Sequence, residues 1–556
     1  MVFLYSKIMR KLTRILLPAF TIFLIACNKP LDIPSVKNSP NPYPVQKKTD
    51  SLLYLWHHKD IELDSFPGIS LDRAYDSIIP YLGSGKEVII AVIDMPIDIK
   101  HEDLSSNIWT NTNEIPNNGI DDDKNGFIDD VNGWSFISNP DGRISRFVNY
   151  EYTRILKKYS KDFSNNNISD SIIYKTYKKA KANYDERMKY AIKDTAYINT
   201  QHRGKIAAQK TLSLFFNHTD YSTEDLDSLK KAHPDNKTLQ KHIRWMKILM
   251  KYGFTNEYIE QYQLKANERL NKLLNTEYND RLIMGDNPNN ISDVGYGSPF
   301  IDTYEGFFDH GTKMAGLLAA NRKNGIGIKG ISDNIRIMPL CISAFGDEHD
   351  KDIALAIRYA VDNGAKVINM SFGKEFSLHK QWIFDAIKYA EKHNVLIIKS
   401  SGNNGQDVDS FEVYPNDYDF EKQQEITDNF LVVGAINYNA NETMVPAFSN
   451  YGANNVDIFA PGYKMNTTVA SDKNYEIIIG GTSTSCAITS GVAGLLYSYY
   501  PNLTAKEVKE IIMNSGLSYE FQVKLNDSLV PFSKLSKSGK VLNAHNALIM
   551  ADSIAR

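Results

Sequence analysis

Five short runs rich in apolar and β-branched residues are the feature that most restricts how this chain of 556 residues can fold. They occupy positions 88–93, 335–340, 366–370, 395–398 and 430–436. Segments with helical spacing lie between several of them, as at 353–361 and 382–393. Continuous apolar runs predict strands buried on both faces, and strands that alternate with helices are typical of a parallel sheet. The sequence therefore predicts an α/β fold, with a mostly parallel sheet and helices on both of its faces.

Residues 150–284 interrupt this alternation. They are rich in lysine, tyrosine and asparagine, contain few glycines, and have helical spacing at 241–252 and 256–274. We interpret them as a helical insertion within the α/β domain, with their many charges on a solvated face. The α/β domain is then divided into a first part at 65–149 and a second part at 285–556.

The N-terminus has the pattern of an export signal. Basic residues at positions 7, 10, 11 and 14 precede an apolar run at 15–26 that is too short to span a bilayer. The run ends in Leu24-Ile25-Ala26-Cys27, which resembles the processing box of bacterial lipoproteins. This resemblance implies removal of a signal peptide, residues 1–26, and lipidation of the Cys27 thiol. The alternative is an ordinary signal peptide beside an incidental cysteine.

Residues 27–64 are predicted to form a lipidated N-terminus and a tether, because prolines recur among polar residues between positions 30 and 44. The protein is thus expected to be exported and held at a membrane of the bacterial cell envelope by its lipid anchor. Cys341 and Cys486 are the other two cysteines. We expect both to be buried, inert thiols, and a bridge between them is the alternative.

Composition restricts the classes of partner. The chain is 42% hydrophobic and 23% charged, so it has enough apolar surface for a large core. Its formal net charge of −3 gives no reason to expect nucleic acid as a partner.

Three residues in separate segments indicate a catalytic site. Asp94 follows the first apolar run, at the kind of strand end where α/β sheets place active sites. His310 lies in the first turn of a predicted helix of small residues, and Ser483 begins another such helix after two glycines. Each has an ordinary structural explanation by itself: a turn, a structural histidine and a helix N-cap. Together, however, they follow the chain order of the catalytic triad in subtilisin.

The surrounding segments match motifs of one family of enzymes. These segments are Val92-Ile93-Asp94, His310-Gly311-Thr312, Ser371-Phe372-Gly373, Ser400-Ser401-Gly402-Asn403 and Gly481-Thr482-Ser483. In two stretches, at about 65–140 and about 285–550, the chain resembles the subtilisin-like (subtilase) serine proteases. The resemblance implies a subtilisin-like fold, hydrolysis of peptide bonds, and protein or peptide substrates.

The same resemblance implies roles for individual residues. Ser483 would be the nucleophile, His310 the base that takes its proton, and Asp94 the group that orients the histidine. Asn403 would donate a hydrogen bond to the oxyanion, together with the Ser483 backbone N–H. The residues implied in substrate binding are Ser371, Phe372, Gly373, Ser401 and Gly402. No cofactor is required for this chemistry.

The serine motif departs from the family pattern. Where the family has Gly-Thr-Ser-Met-Ala-Ala-Pro, the residues that follow Ser483 here are Thr484, Ser485, Cys486 and Ala487. Two alternatives to an endopeptidase stay open. One is a catalytically weak or inactive pseudoprotease that acts as a binding protein. The other is an enzyme that processes or ligates peptides with the same triad.

An acidic loop after the aspartate motif resembles the first half of an EF-hand calcium loop. The predicted ligands are Asp121, Asp123, Asn125, the Phe127 carbonyl and Asp129. Asn132 stands where an EF-hand has its last glutamate, and a solvated Asp/Asn turn explains the same residues. Structural calcium is therefore one of two interpretations of this loop.

Overall fold

A nine-stranded sheet lies at the centre of the protein in this computed structural model, which describes residues 53–163, 172–302, 309–470 and 474–556. The strands are, in chain order, β1 (Val88–Asp94), β2 (Trp134–Ser135), β3 (Ile335–Cys341), β4 (Val367–Met370), β5 (Leu396–Ser400), β6 (Tyr418–Asp419), β7 (Gln424–Glu425), β8 (Phe430–Ile436), β9 (Ile458–Pro461), β10 (Tyr463–Thr468), β11 (Tyr475–Gly480), β12 (Leu517–Ser518), β13 (Gln522–Leu525), β14 (Ser528–Pro531) and β15 (Lys540–Val541).

The central sheet is mostly parallel, as predicted. Its strand order is β12-β15-β9-β8-β5-β4-β1-β3-β2. The pair β12–β15 is antiparallel and the other neighbours are parallel. The five predicted strands are confirmed as β1, β3, β4, β5 and β8, with ends that differ from the prediction by at most two residues.

The α-helices are, in chain order, α1 (Ile61–Asp64), α2 (Leu71–Ser77), α3 (Glu151–Tyr159), α4 (Ile172–Leu212), α5 (Thr223–Ala232), α6 (Lys237–Lys251), α7 (Asn256–Glu268), α8 (His310–Ala319), α9 (Asp350–Asp362), α10 (Lys380–Lys392), α11 (Thr482–Tyr499), α12 (Ala505–Ser515) and α13 (Ala544–Ala555). Short 3₁₀ helices lie at Trp56–His58, Ile79–Tyr81, Ser105–Asn107 and Phe532–Lys534, and a π-helical turn at Arg269–Leu273 follows α7. In the part of the chain that the structure describes, no helix is apolar over a length that could cross a membrane.

Helices cover both faces of the sheet. Ile89 and Ile90 are neighbours in β1, so their side chains point to opposite faces. A Cβ atom on Gly494 in α11 would lie 2.7 Å from Ile90 Cδ1. A Cβ atom on Gly364, just after α9, would lie 3.9 Å from Ile89 Cδ1. The chain at α11 therefore packs on one face and the end of α9 on the other.

Helix α11 is buried from residue 482 to residue 498 and carries the serine motif at its start. Its N-terminus lies where β4 and β5 end, because it contacts residues that directly follow these strands. The Ser483 hydroxyl donates to the carbonyl of Ser371, and the Thr482 N–H donates to the side chain of Asn403. This carboxyl edge of a parallel sheet is where α/β proteins place their ligands.

The segment interpreted as an insertion is helical, from α3 to α7. Helices α4 to α7 contribute to a separate apolar cluster that includes Ile198, Leu226, Leu239 and Ile243. A second cluster joins α3 and α4 to Phe376 of the α/β body. The helical segment thus has a core of its own and a defined packing site near the sheet.

The stretch predicted to be a tether, residues 27–64, ends in residues that pack into the body. Leu53, Trp56 and Ile61 are buried in the main core, and the indole N–H of Trp56 donates to the carbonyl of Tyr463 at 3.1 Å. Asp60 caps the N-terminus of α1. Burial of these apolar side chains is worth about 1.5–3 kcal/mol each, so this stretch packs against the body. Cys27 and the proline-rich stretch lie outside the described residues.

Candidate active site

Asp94 and His310 are joined by a hydrogen bond at the carboxyl edge of the sheet. Asp94 is the last residue of β1, and His310 is the first residue of α8. His310 Nδ1 lies 2.7 Å from Asp94 Oδ1, which also accepts the Met95 N–H at 2.7 Å. Gly311 permits the close approach, because a Cβ atom there would lie 2.2 Å from the Met95 carbonyl oxygen.

The aspartate fixes the tautomer of the histidine. An ionised carboxylate only accepts hydrogen bonds, so Nδ1 of His310 carries the proton and Nε2 is the free acceptor. The His310 ring is 37% exposed, whereas the Asp94 side chain is buried. Burial opposes a charge on His310, but the carboxylates of Asp94 and Asp309 outweigh it and raise the pKa of the imidazole. The pair is therefore a base with increased proton affinity.

Ser483 and Ser371 bind each other reciprocally. The Ser483 hydroxyl donates to the Ser371 carbonyl at 2.8 Å, and the Ser371 hydroxyl donates to the Ser483 carbonyl at 3.0 Å. Asn369 in turn donates to the Ser371 hydroxyl at 3.0 Å. Among the described residues, the Ser483 hydroxyl thus bonds to Ser371 and not to His310. Hydrogen bonds of catalytic groups often form only when substrate is present.

Asn403 is fixed against the start of α11. Its Oδ1 atom accepts the Thr482 N–H at 2.8 Å and the Thr482 hydroxyl at 3.0 Å. Thr482 also accepts the Gly402 N–H at 3.1 Å. Because Oδ1 is the acceptor, Nδ2 is the end of the amide that can donate to another group.

A cleft of about 390 Å³ runs along the predicted substrate-binding residues. Its lining includes Ser371, Phe372, Gly373, Gly402, Asn403 and Ser483. Ser401 is the one predicted substrate-binding residue that does not line this cleft. Its hydroxyl donates to the Asn450 carbonyl, and the residue lines a smaller, adjoining cavity. The structure therefore gathers the nucleophile candidate, the amide donor and most of the predicted substrate contacts around one cleft.

The unusual residues of the serine motif all find acceptors in the fold. The Thr484 hydroxyl donates to the Gly481 carbonyl at 2.6 Å, and the Ser485 hydroxyl donates to the Ala460 carbonyl at 3.0 Å. The Cys486 thiol lies 3.2 Å from the Ile398 carbonyl, and burial raises its pKa to about 12. Cys341 and Cys486 are both buried and free. The side chains of Thr484, Ser485 and Cys486 are thus all hydrogen-bonded within the fold.

Comparison with known proteins decides the family. The sequence model of the subtilase family matches residues 85–539, which is most of the chain. The chain belongs to the subtilase family.

This subtilase is 35% identical over 191 residues to the thermophilic serine proteinase of Bacillus sp. (strain AK1), a match that covers 34% of this chain and 43% of the relative. It is 34% identical over 214 residues to the cell wall-associated protease of Bacillus subtilis (strain 168), over 38% of this chain and 22% of the relative. The chain thus matches less than half the length of these two curated relatives. A solved structure of the subtilase cytotoxin SubAB assembly has a TM-score of 0.37 at 26% identity, over 47% of this chain and 81% of that chain.

Two of the five predicted calcium ligands in the acidic loop of the subtilase, Asp121 and Asp129, accept backbone N–H groups of the loop, and calcium binding by the five stays a prediction. Asp121 accepts the N–H groups of Asn125 and Gly126, Asp129 accepts those of Asn118 and Gly119, and the Phe127 ring packs on Trp134. These carboxylates close turns in the backbone, which is the alternative interpretation of the loop.

A different set of carboxylates converges beside this loop. One oxygen each of Glu114, Asp123 and Asp130 lies within 4.8 Å of the others. Burial raises the pKa of Glu114 and of Asp130, and repulsion from Asp123 acts in the same direction. Hard oxygen ligands of this kind fit calcium. The sequence pattern missed Glu114 because it precedes the loop.

Residues from the helical segment also line the cleft, which motif matching did not predict. They are Tyr150, Tyr152, Arg187, Tyr190 and Arg269. Lys399, at the end of β5, was missed as well, although a lysine directly after an apolar strand run is a visible signal. Its side chain is buried beside the cleft.

Proposed function

We propose that this subtilase is a serine endopeptidase that hydrolyses peptide bonds in protein or peptide substrates. Ser483 is the nucleophile, His310 the base, and Asp94 the residue that orients the base. The proposal is carried by the 2.7 Å hydrogen bond from His310 to Asp94, at the sheet edge where Ser483 and Asn403 face one cleft. Family membership supports the same reaction class.

The first step is attack by Ser483 on the substrate carbonyl. A hydroxyl is a weak nucleophile until a base takes its proton, and Nε2 of His310 is the free acceptor of the pair. We infer that the Ser483 hydroxyl exchanges its bond with Ser371 for one with Nε2 when a peptide occupies the cleft. The proton then passes to Nε2, while Oγ bonds to the carbonyl carbon and the carbonyl electron pair moves onto oxygen.

Asn403 stabilises the oxyanion that results. Its Nδ2 group and the Ser483 backbone N–H are the donors, aided by the positive N-terminus of α11. Thr482 already holds the amide through Oδ1, so no reorganisation is needed during the reaction. Collapse of the intermediate expels the amine, which takes the proton from His310. Water then repeats the sequence on the acyl group and releases the acid.

A fluorophosphonate probe tests this proposal, because it reacts with a serine whose hydroxyl is activated by a base. We expect labelling of Ser483 in the wild type and none in a His310→Ala variant. Ser490→Ala is the matched control, since Ser490 is another buried serine of α11, and it should keep the label.

A folded wild type that stays unlabelled contradicts the proposal and favours the pseudoprotease. Labelling followed by formation of a new peptide bond, detected by mass spectrometry of the products, favours the ligating enzyme.

We infer that residues 150–284 are an insertion that shapes substrate access. The support is the position of Tyr150, Arg187 and Tyr190, which line the cleft together with residues of the sheet edge. The chemistry needs no cofactor. Structural calcium would be held by Glu114, Asp123 and Asp130 and would take no part in peptide cleavage.

We also propose that residues 1–26 are a signal peptide and that lipidated Cys27 holds the exported protein at a membrane of the bacterial cell envelope. The support is the box Leu24-Ile25-Ala26-Cys27. Palmitate labelling in cells is expected to be lost in a Cys27→Ala variant. It should be kept in Cys341→Ala, because Cys341 is buried within the fold. Equal labelling of Cys27→Ala and the wild type would sink the lipoprotein hypothesis.

A further inference from the structure

Lys399 is a buried cation beside the cleft. Its residue is 2% exposed, and its Nζ atom donates to the Ser400 carbonyl at 2.8 Å. Within the described ranges, no carboxylate lies at ion-pair distance from Nζ. Burial lowers the pKa of Lys399 to about 8, against the opposing influence of Cys486, so the amine remains largely protonated at pH 7. Burying an ammonium without a nearby anion costs free energy, which indicates that Lys399 pairs with a ligand.

Asp417, Glu425 and Asp457 share a small cavity with Lys399. Glu425 and Asp457 pair with other lysines, whereas Asp417 Oδ2 is buried without a hydrogen-bond partner among the described residues. Lys509 lies 3.9 Å from Asp457 and 3.7 Å from Glu425, and Lys537 lies 3.4 Å from Asp457. Burial raises the pKa of Asp417 well above its ordinary value, which disfavours a negative charge on this group.

The cations that line the cleft itself are also paired. Arg187 lies 3.9 Å from Glu375, and Arg269 lies 2.7 Å from Asp194. Lys374 lies 2.6 Å from Asp350 and 3.5 Å from Glu151. Of the cations around the cleft in the described part of the chain, Lys399 is thus the one that lacks a counter-ion.

The amine of Lys399 lies directly under the floor of the cleft. A Cβ atom on Gly373 would lie 3.4 Å from Lys399 Nζ and 3.1 Å from Val413 Cγ1. Gly373, Val413 and Ser400 line the same cleft as Ser483 and Asn403. Because residue 373 has no side chain, a group entering between the ends of β4 and β5 can approach the ammonium.

We propose that Lys399 makes the cleft selective for an acidic side chain, so that the protein cleaves peptide bonds after Glu or Asp. The inference rests on the proposed endopeptidase function. The residue that contributes the attacked carbonyl (P1) has its side chain next to Ser483 and Asn403, and therefore over the floor formed by Gly373 and Val413. A carboxylate there pairs with the ammonium, whereas an apolar side chain leaves it unpaired and a basic one is repelled.

Quenched fluorescent peptides that differ only at P1 test this assignment. We expect wild-type kcat/KM to be about 10- to 100-fold higher for P1 Glu than for P1 Gln, the range that a charge-assisted hydrogen bond gives in a buried site. P1 Leu should be poor and P1 Lys poorest. In Lys399→Met, which keeps the length of the side chain, the Glu and Gln peptides should be cleaved at nearly equal rates. Lys392→Met changes an exposed lysine at the end of α10 and should retain the wild-type preference.

Circular dichroism melting establishes that Lys399→Met is folded. The preference for Glu over Gln can also be measured on the wild type alone, as the ratio of the inactivation rates by peptidyl phosphonates with P1 Glu and P1 Gln. Equal rates for P1 Glu and P1 Gln in the wild type, or a preference for Glu that persists in folded Lys399→Met, overturn the inference while leaving endopeptidase activity intact. A wild type that cleaves none of the peptides and does not react with a fluorophosphonate contradicts the proposed function itself.

Discussion

Replacing Ser483 by alanine is expected to abolish peptide hydrolysis, with a fall in kcat of about a millionfold. The change removes the oxygen that bonds to the substrate carbonyl but leaves Asn403 and the backbone N–H donors in place. The fold should persist, because the variant loses only the hydrogen bond to the Ser371 carbonyl, worth about 1 kcal/mol. Steady-state kinetics on a quenched peptide, with thermal melting of the same preparation, measures both effects.

Ser485→Ala is the matched control for this experiment. Ser485 lies two residues further along α11, is also buried, and donates to the Ala460 carbonyl. Its loss should lower the melting temperature slightly and leave kcat within a few-fold of wild type, since this hydroxyl points away from the cleft. Full activity of a Ser483→Ala protein purified free of host proteases would end the hypothesis that Ser483 is the nucleophile.

Replacing Asp94 by asparagine is expected to lower kcat by about 10⁴-fold with little change in KM. An amide can donate toward Nδ1 of His310, which favours the tautomer that carries its proton on Nε2 and cannot accept from Ser483. The variant also loses the carboxylate that does most to raise the pKa of His310, so this pKa should fall relative to the wild type.

The pH dependence of kcat/KM shows in which direction the pKa of His310 changes. The base must be neutral, so wild-type kcat/KM should rise with pH and level off above a pKa that exceeds the ordinary 6.5 of histidine. In Asp94→Asn, the midpoint of the rise of kcat/KM with pH should move to lower pH. Asp309→Asn should move this midpoint in the same direction by less, because Asp309 acts on His310 through its charge alone, whereas Asp94 also accepts a hydrogen bond from the ring. A midpoint that is unchanged in Asp94→Asn would show that His310 is not the titrating base.

The sheet was predictable because its strands are continuous apolar runs, a pattern that burial on both faces imposes locally. The predicted ends of β1 and β8 differ from the structure by no more than one residue. The candidate triad was also visible, because each member lies in a short motif. The parallel topology explains why Asp94, at the end of β1, and the residues that follow β4 and β5 lie at the same edge of the sheet.

Other features depend on contacts between distant positions and could not be predicted from local patterns. Ser371 and Ser483 are 112 residues apart, and their reciprocal hydrogen bonds have no sequence signature. The packing of Leu53 and Trp56 was not predicted, because these apolar residues are sparse among polar ones and the core they enter is formed by much later parts of the chain. The carboxylates near Asp123 converge only through folding, and Glu114 lies outside the pattern that drew attention to the loop.

Because Leu53 and Trp56 pack into the body, they also limit how far the body can lie from a membrane anchor at Cys27. If Cys27 is lipidated, 25 residues separate the anchor from Leu53, the first described residue of the body. A chain of that length cannot exceed about 90 Å even when fully extended. The cleft would then reach only polypeptides that come within this distance of the bilayer. Examples are segments that emerge from the same membrane or from neighbouring envelope proteins. Proteins that diffuse freely in the bulk would be met only as they pass the surface.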